Sequence, residues 1–244
     1  MTDPQSAASV AAERLSLVES STRRLLETVS ELKPDAVAEP SALPGWTRGH
    51  VLAHLARNAD SLVNLLTGAR TGTDIPQYAS EDAREQGIRD GAGRPLDTQL
   101  ADLRESHERF LAAVALMTDE DWAADVRHRS GVVFPACDLV WKRLGELEYH
   151  LVDLDAGYAP ARWPEPFAVT EFHQLALRLH GTDLPAVELV AEDTGDRGLI
   201  GSGPVSLTVQ GTVRALLAWL SGRSDGADLR RAPDTALPQL PPLG

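Results

Sequence analysis

AGYAPARWPEP, residues 156–166, divides this chain of 244 residues into two stretches of different periodicity. Proline and small residues at that density stop helices and read as a linker. Before it, apolar side chains recur at helical spacing in four long runs: about 6–31, 47–66, 95–117 and 135–155. A short run over about 80–91 makes a fifth element, the count expected of a helical bundle. Thr47 and Ser80 stand where N-caps belong, and Pro95 opens the third long run. Thr118–Asp121 reads as a polar break, and VRHRSGVVF, 126–134, as a short hairpin or an extended loop.

Beyond the linker the pattern changes. A helix over about 167–180 precedes two β-rich runs, AVELVAE and PVSLTVQ, and TVRALLAWLSGR reads as a closing helix. The glycines of DTGDRGLIGSG fit a turn between the strands, with no phosphate-loop or dinucleotide fingerprint, and APDTALPQLPPLG reads as an irregular arm. The expected fold class is therefore α+β overall: an N-terminal four-helix bundle over 1–158 and a smaller C-terminal α+β domain over 159–244.

The formal net charge of −13 repels phosphate backbones and anionic lipid, which argues against nucleic acid and membrane surfaces as partners. No apolar run reaches the roughly 18 residues that span a bilayer, and MTDPQSAASVAAERL has neither a basic leader nor an apolar core, so a cytoplasmic location is expected. Cys137 is the only cysteine, which excludes intramolecular disulfides and cysteine-rich zinc modules. It is expected to be a small buried helix residue, so thiol chemistry calls for that residue or an imported thiol. Apart from Lys33 and Lys142 every basic residue is an arginine, the side chain that clamps carboxylates bidentately.

LPGWTRGHVLAHLARNAD, 43–60, carries two histidines four residues apart. With Leu55 at the centre of the buried face, His54 lies roughly 100° and His50 roughly 140° away, placing His54 at the core margin and His50 toward solvent. On CDLVWKRLGELEYHLVDLDAG, centred on Leu147, His150 falls roughly 60° and Glu146 roughly 100° to one side, and at i, i+4 they can reach one point. Two imidazoles and one carboxylate converging from neighbouring helices would leave a fourth position open, as at catalytic zinc. Asp153 could orient a ligand from behind or meet an arginine. On geometry alone a solvated Glu–His pair is the commoner arrangement, and the metal reading stays open beside it.

Four stretches together resemble the mycothiol-dependent maleylpyruvate isomerases, within the wider DinB-like family of metal-binding helical bundles. They are LPGWTRGHVLAHLARNAD, PQYASEDAREQGIRDGAGR, KRLGELEYHLVDLDAGY and WLSGR. The resemblance implies His54, Glu146 and His150 as metal ligands and leaves His50 as a surface or capping residue. It also implies Arg84, Asp153 and Arg223 as active-site polar residues; for Arg223, a favourable charge at a helix C-terminus is a complete structural account. Gln77 stands where the family pattern has a methionine, a departure that touches the pocket lining and no ligand. The implied cofactors are Zn²⁺ or another divalent metal, with mycothiol as thiol cosubstrate. The implied activity is cis–trans isomerisation of maleylpyruvate to fumarylpyruvate, a small dicarboxylate, by a monomer or small homo-oligomer. The alternatives are a mycothiol S-transferase and a non-catalytic metal-binding interaction module.

Overall fold

A computed structural model describes residues 6–242. The first five residues of the N-terminal stretch and the last two of the tail lie outside them. The chain forms two compact units, 1–157 and 158–244.

In the first unit, four long helices carry the core: α1 (Ala7–Ser30), α2 (Arg48–Thr71), α4 (Leu96–Ala115) and α6 (Asp138–Asp153). They close a ring in which α2 packs on α4 and α6, and α1 packs on α6 and α4. The short α3 (Glu81–Ala92) lies against α2. Local chemistry sets the boundaries. Ser6 and Ser80 cap α1 and α3 by accepting from Ser9 N and Ala83 N. α2 continues past Leu66 to Thr71, where Gly72 adopts φ 64° and ends it. The expected polar break at Thr118–Asp121 is itself helical: Thr118 and Asp121 form a capping box opening α5 (Asp119–Ala123), whose Trp122 is buried. VRHRSGVVF is a hairpin, β1 (Asp125–Arg127) pairing antiparallel with β2 (Val133–Pro135).

α2 departs from a one-stripe helix. Val51, Leu52, Ala53, Leu55, Ala56, Ala59 and Leu62 are all buried, because α3, α4 and α6 cover it on several sides. His54 is accordingly inside the bundle, 5% exposed, rather than at its margin. Behind α6, Glu148 is fully buried and held by the Ser21 hydroxyl and by Arg24 at 3.2 Å, both from α1.

The second unit contains α7 (Glu165–Leu179), β3 (His180–Ala191), β4 (Arg197–Gly211), α8 (Val213–Leu220) and β5 (Arg230–Ala232). Here the expectation of a glycine-rich connector over 193–203 is corrected: the turn occupies only the residues before Arg197, and RGLIGSG is the first half of β4. β4 bends at Gly201 and Gly203, both at positive φ, and wraps β3 on both sides. Val187–Val190 face Ile200–Arg197 in opposite direction and Leu207–Gln210 in parallel. β5 adds antiparallel to β4 at Thr208–Gln210. α7 settles closely on this sheet because Gly198 has no side chain beneath Ala176 and Phe172. The arm over 233–242 forms no helix or strand.

Candidate metal centre

Two sets of bonds align α2 and α6 in opposite directions. At one end Arg48, the first residue of α2, donates from Nε to Leu154 O at 2.8 Å and from Nη2 to Asp155 O at 2.7 Å. These carbonyls lie at the negative end of α6, where a guanidinium is favoured. Ala42 N adds a bond to Asp153 O at 2.8 Å. Further along, Arg143 of α6 donates from Nη1 to Leu55 O at 2.8 Å and to Asn58 Oδ1 at 2.9 Å. Between these ties, His54 on α2 comes opposite Glu146 and His150 on α6.

One ligand atom from each of His54, Glu146 and His150 lies within 4.8 Å of the others. Glu146 Oε2 is 2.8 Å from His54 Nε2 and 3.3 Å from His150 Nε2, and the rings meet edge to face at 4.7 Å. On the far side of His150, Asp153 Oδ2 pairs with Nδ1 at 2.9 Å, which leaves Nε2 to face the cluster. His54 Nδ1 is buried with no hydrogen-bond partner, so Nε2 is its one engaged nitrogen.

Burial pulls the His54 imidazole below its usual pKa, more strongly than Glu146 pulls it up. Burial also opposes protonation of His150, but its bonds to Asp153 and Glu146 outweigh that and hold its pKa above the usual value. Burial alone would raise the Glu146 carboxyl, yet the two imidazoles hold it well below the ordinary carboxylate range. An ionised carboxylate facing two imidazole nitrogens suits a divalent cation, and three protein ligands leave room for an external one.

The other expected residues divide. Asp153 is buried against His150. Arg84, on α3, lies with its guanidinium over the Tyr78 ring at 5.9 Å, and its positive charge contributes to the depression of His54. Arg223 belongs to the second unit, just past α8, where Nη1 donates to Ser221 O at 2.9 Å. His50 completes a capping box, its Nδ1 3.2 Å from Thr47 N, and is half-buried rather than facing solvent. Cys137 is buried immediately before α6 rather than within a helix, and burial followed by Asp138 pushes its thiol pKa up. It precedes His150 by about 19 Å of helix axis at 1.5 Å per residue.

The contacts of Trp46, Tyr78 and Gln77 escaped the sequence reading. Trp46 packs edge-on to His54 at 5.7 Å. Gln77, the departure from the family pattern, is buried, bonds Ser61 Oγ at 3.2 Å and accepts from Arg129 N at 3.2 Å. Together with Tyr78 and Arg84 it lines a cavity of ≈ 160 Å³. The available signal was the polar series His54, Asn58 and Ser61, at i, i+4 and i+7 on a helix otherwise apolar toward the core.

A four-helix bundle that gathers two imidazoles and a carboxylate from two of its helices is an architecture that could hold a metal ion. Sequence comparison narrows the class. Residues 18–155 match the mycothiol maleylpyruvate isomerase N-terminal domain, and the chain belongs to that family. It is also similar to the crystal structure of the mycothiol-dependent maleylpyruvate isomerase, with a TM-score of 0.86 and 26% sequence identity over 96% of this chain and 97% of that one. A histidine-to-alanine mutant of that enzyme gives the same TM-score, identity and coverage. Among curated proteins none matches.

Proposed function

We propose that the chain is a mycothiol-dependent isomerase converting maleylpyruvate to fumarylpyruvate, with His54, Glu146 and His150 holding zinc or another divalent cation. The observation that carries this reading is the convergence of those three side chains in a member of that family.

The reaction must turn a cis alkene into the trans isomer, and rotation is forbidden while the double bond is intact. The thiolate sulfur of mycothiol adds to one alkene carbon, and the π pair moves into the neighbouring ketone to give an enolate. The former double bond, now single, rotates. The enolate pair then returns, the carbon–sulfur bond breaks and the thiol is regenerated. A free thiol near pKa 8.5 is mostly protonated at neutral pH, and a bound divalent cation supplies the acidity that makes it a thiolate.

The chain's own groups do the rest. Asp153 fixes the His150 ring so that Nε2 faces the cluster, and Glu146 brings negative charge to it. Trp46 shields one edge of His54 from water. Arg84 offers a fixed cation for a substrate carboxylate or the developing enolate. The family resemblance adds a polar role for Arg223. Cys137, held protonated by burial and well up the helix, is not the nucleophile. No helix among the described residues is long and apolar enough to cross a membrane, and we place the protein in the cytoplasm, where low-molecular-weight thiols are kept reduced.

The test is incubation of the zinc-loaded protein with mycothiol and maleylpyruvate. Fumarylpyruvate forming over many turnovers with thiol undiminished is the expected result. A stable thioether adduct would assign the chain to the S-transferases, and no reaction with either would leave only a metal-binding module.

A further inference from the structure

Arg143 is a large charged side chain that neither the reaction scheme nor the ligand set employs. It is 1% exposed, deep between α6 and α2. On α6 it occupies the same face as Glu146 and His150, at i, i+3 and i+7. Its Nη1 satisfies Leu55 O and Asn58 Oδ1, while Nε is buried with no partner. A buried guanidinium ordinarily has a carboxylate against it, because an unpaired charge is costly to desolvate.

Among the described residues no carboxylate forms an ion pair with it, although Glu146 and Asp60 are near enough to attract it. Glu146 is shared between two imidazoles. Asp60 is engaged by Arg57 at 3.0 Å and Arg109 at 2.8 Å. Tyr78 is a phenol whose ionisation burial discourages. The charge of Arg143 is nonetheless felt around it: burial and then Arg143 depress His107 on α4, and burial followed by attraction to Glu146, Tyr78 and Asp60 governs the Arg143 guanidinium itself. Arg84, across Tyr78, has no carboxylate partner among the described residues either. In a chain with 36 acidic residues against 23 basic ones, two arginines without a carboxylate ion pair beside one cluster mark a place suited to a further negative charge.

We infer that Arg143 is a specificity-determining residue, whose fixed charge behind the metal centre favours a substrate with two carboxylates over one with a single carboxylate. The inference rests on the isomerase reading for the identity of the dianion, while its test reads binding rather than turnover. Arg84 can meet one carboxylate directly. Arg143 acts at longer range through the bundle interior, where a low effective dielectric lets one charge matter across several ångströms.

The probes are maleate, a dianion, and isocrotonate, a monoanion with the same cis four-carbon skeleton, titrated calorimetrically into the zinc-loaded full chain. Wild-type protein is expected to prefer maleate. Arg143→Met should lower the ratio of maleate to isocrotonate affinity about tenfold, and Arg143→Lys, which keeps the charge, should restore most of it. Arg143→Gln serves as a second neutral variant should the methionine fail to fold. An unchanged ratio in the neutral variants overturns the inference, as does a wild-type protein without preference for maleate. Fumarylpyruvate formation by wild type, measured separately, then tells whether the isomerase reading survives.

Discussion

At the scale of single residues, His54, Glu146 and His150 differ in how far their roles depend on neighbours. His54 and Glu146 meet directly, whereas His150 is oriented by Asp153 from behind. His54→Ala should therefore lose bound zinc after dialysis, read by metal analysis; full retention would show a different ligand set. Asp153→Asn should keep the site but weaken zinc about 10–100-fold in chelator competition, the usual effect of removing a carboxylate behind a ligating histidine. His107 gives a pH signature away from the cluster. Burial, then Arg143, lowers its pKa from 6.5 to about 4. The unfolded chain binds this proton first, so the stability it contributes is complete above pH 6.5 and is lost as pH falls toward 4. His107→Gln should lose less stability than wild type between pH 7 and pH 5, measured by urea midpoints.

At the scale of elements, the cluster depends on how tightly α2 is surrounded. Gly91 of α3 faces α2 so closely that a Cβ there would lie 2.7 Å from Ala53 Cβ. Ala53 adjoins His54, so the packing of α3 and the placement of a ligand are one problem. Gly91→Ala gains about 1 kcal/mol of helix propensity, but overpacking costs about 1–3 kcal/mol, so a net loss of about 1 kcal/mol is expected in denaturant titration. The helices themselves were legible in the sequence because caps and apolar spacing are local. Thr47 and Ser80 announce α2 and α3, and the angles on α6 put Glu146 and His150 on one side. Burial of α2 was not legible: a single stripe centred on Leu55 assumes one neighbour, and α2 is covered by α3, α4 and α6 and touched by further elements. The bend of β4 escaped for a similar reason, since glycines that permit a turn also permit a strand to fold around its partner.

At the scale of the whole molecule, a net charge of −13 surrounds a site proposed to receive a dianion. The long-range field opposes approach while Arg84 and Arg143 favour capture at short range. Salt screens the first far more than the buried second, the Debye length shrinking from about 30 Å at 0.01 M to about 8 Å at 0.15 M. Isomerisation should accordingly show a kcat/KM that rises a few-fold over that range; a fall would mean that the arginines dominate even at a distance. The helical runs, the lone cysteine and the placing of Glu146 and His150 on one side of α6 followed from the sequence, because periodicity and capping act within a few residues along the chain. The stretch expected as a linker is instead partly helical, with a 3-10 turn at Pro160–Arg162, α7 beginning at Glu165 and Trp163 buried between them. Which helices stand side by side, and that Arg48 and Arg143 bracket His54 against Glu146 and His150, came only with tertiary structure. Those contacts join residues 85 to 107 apart, where local preference is silent and only the packing of whole helices decides which polar groups meet.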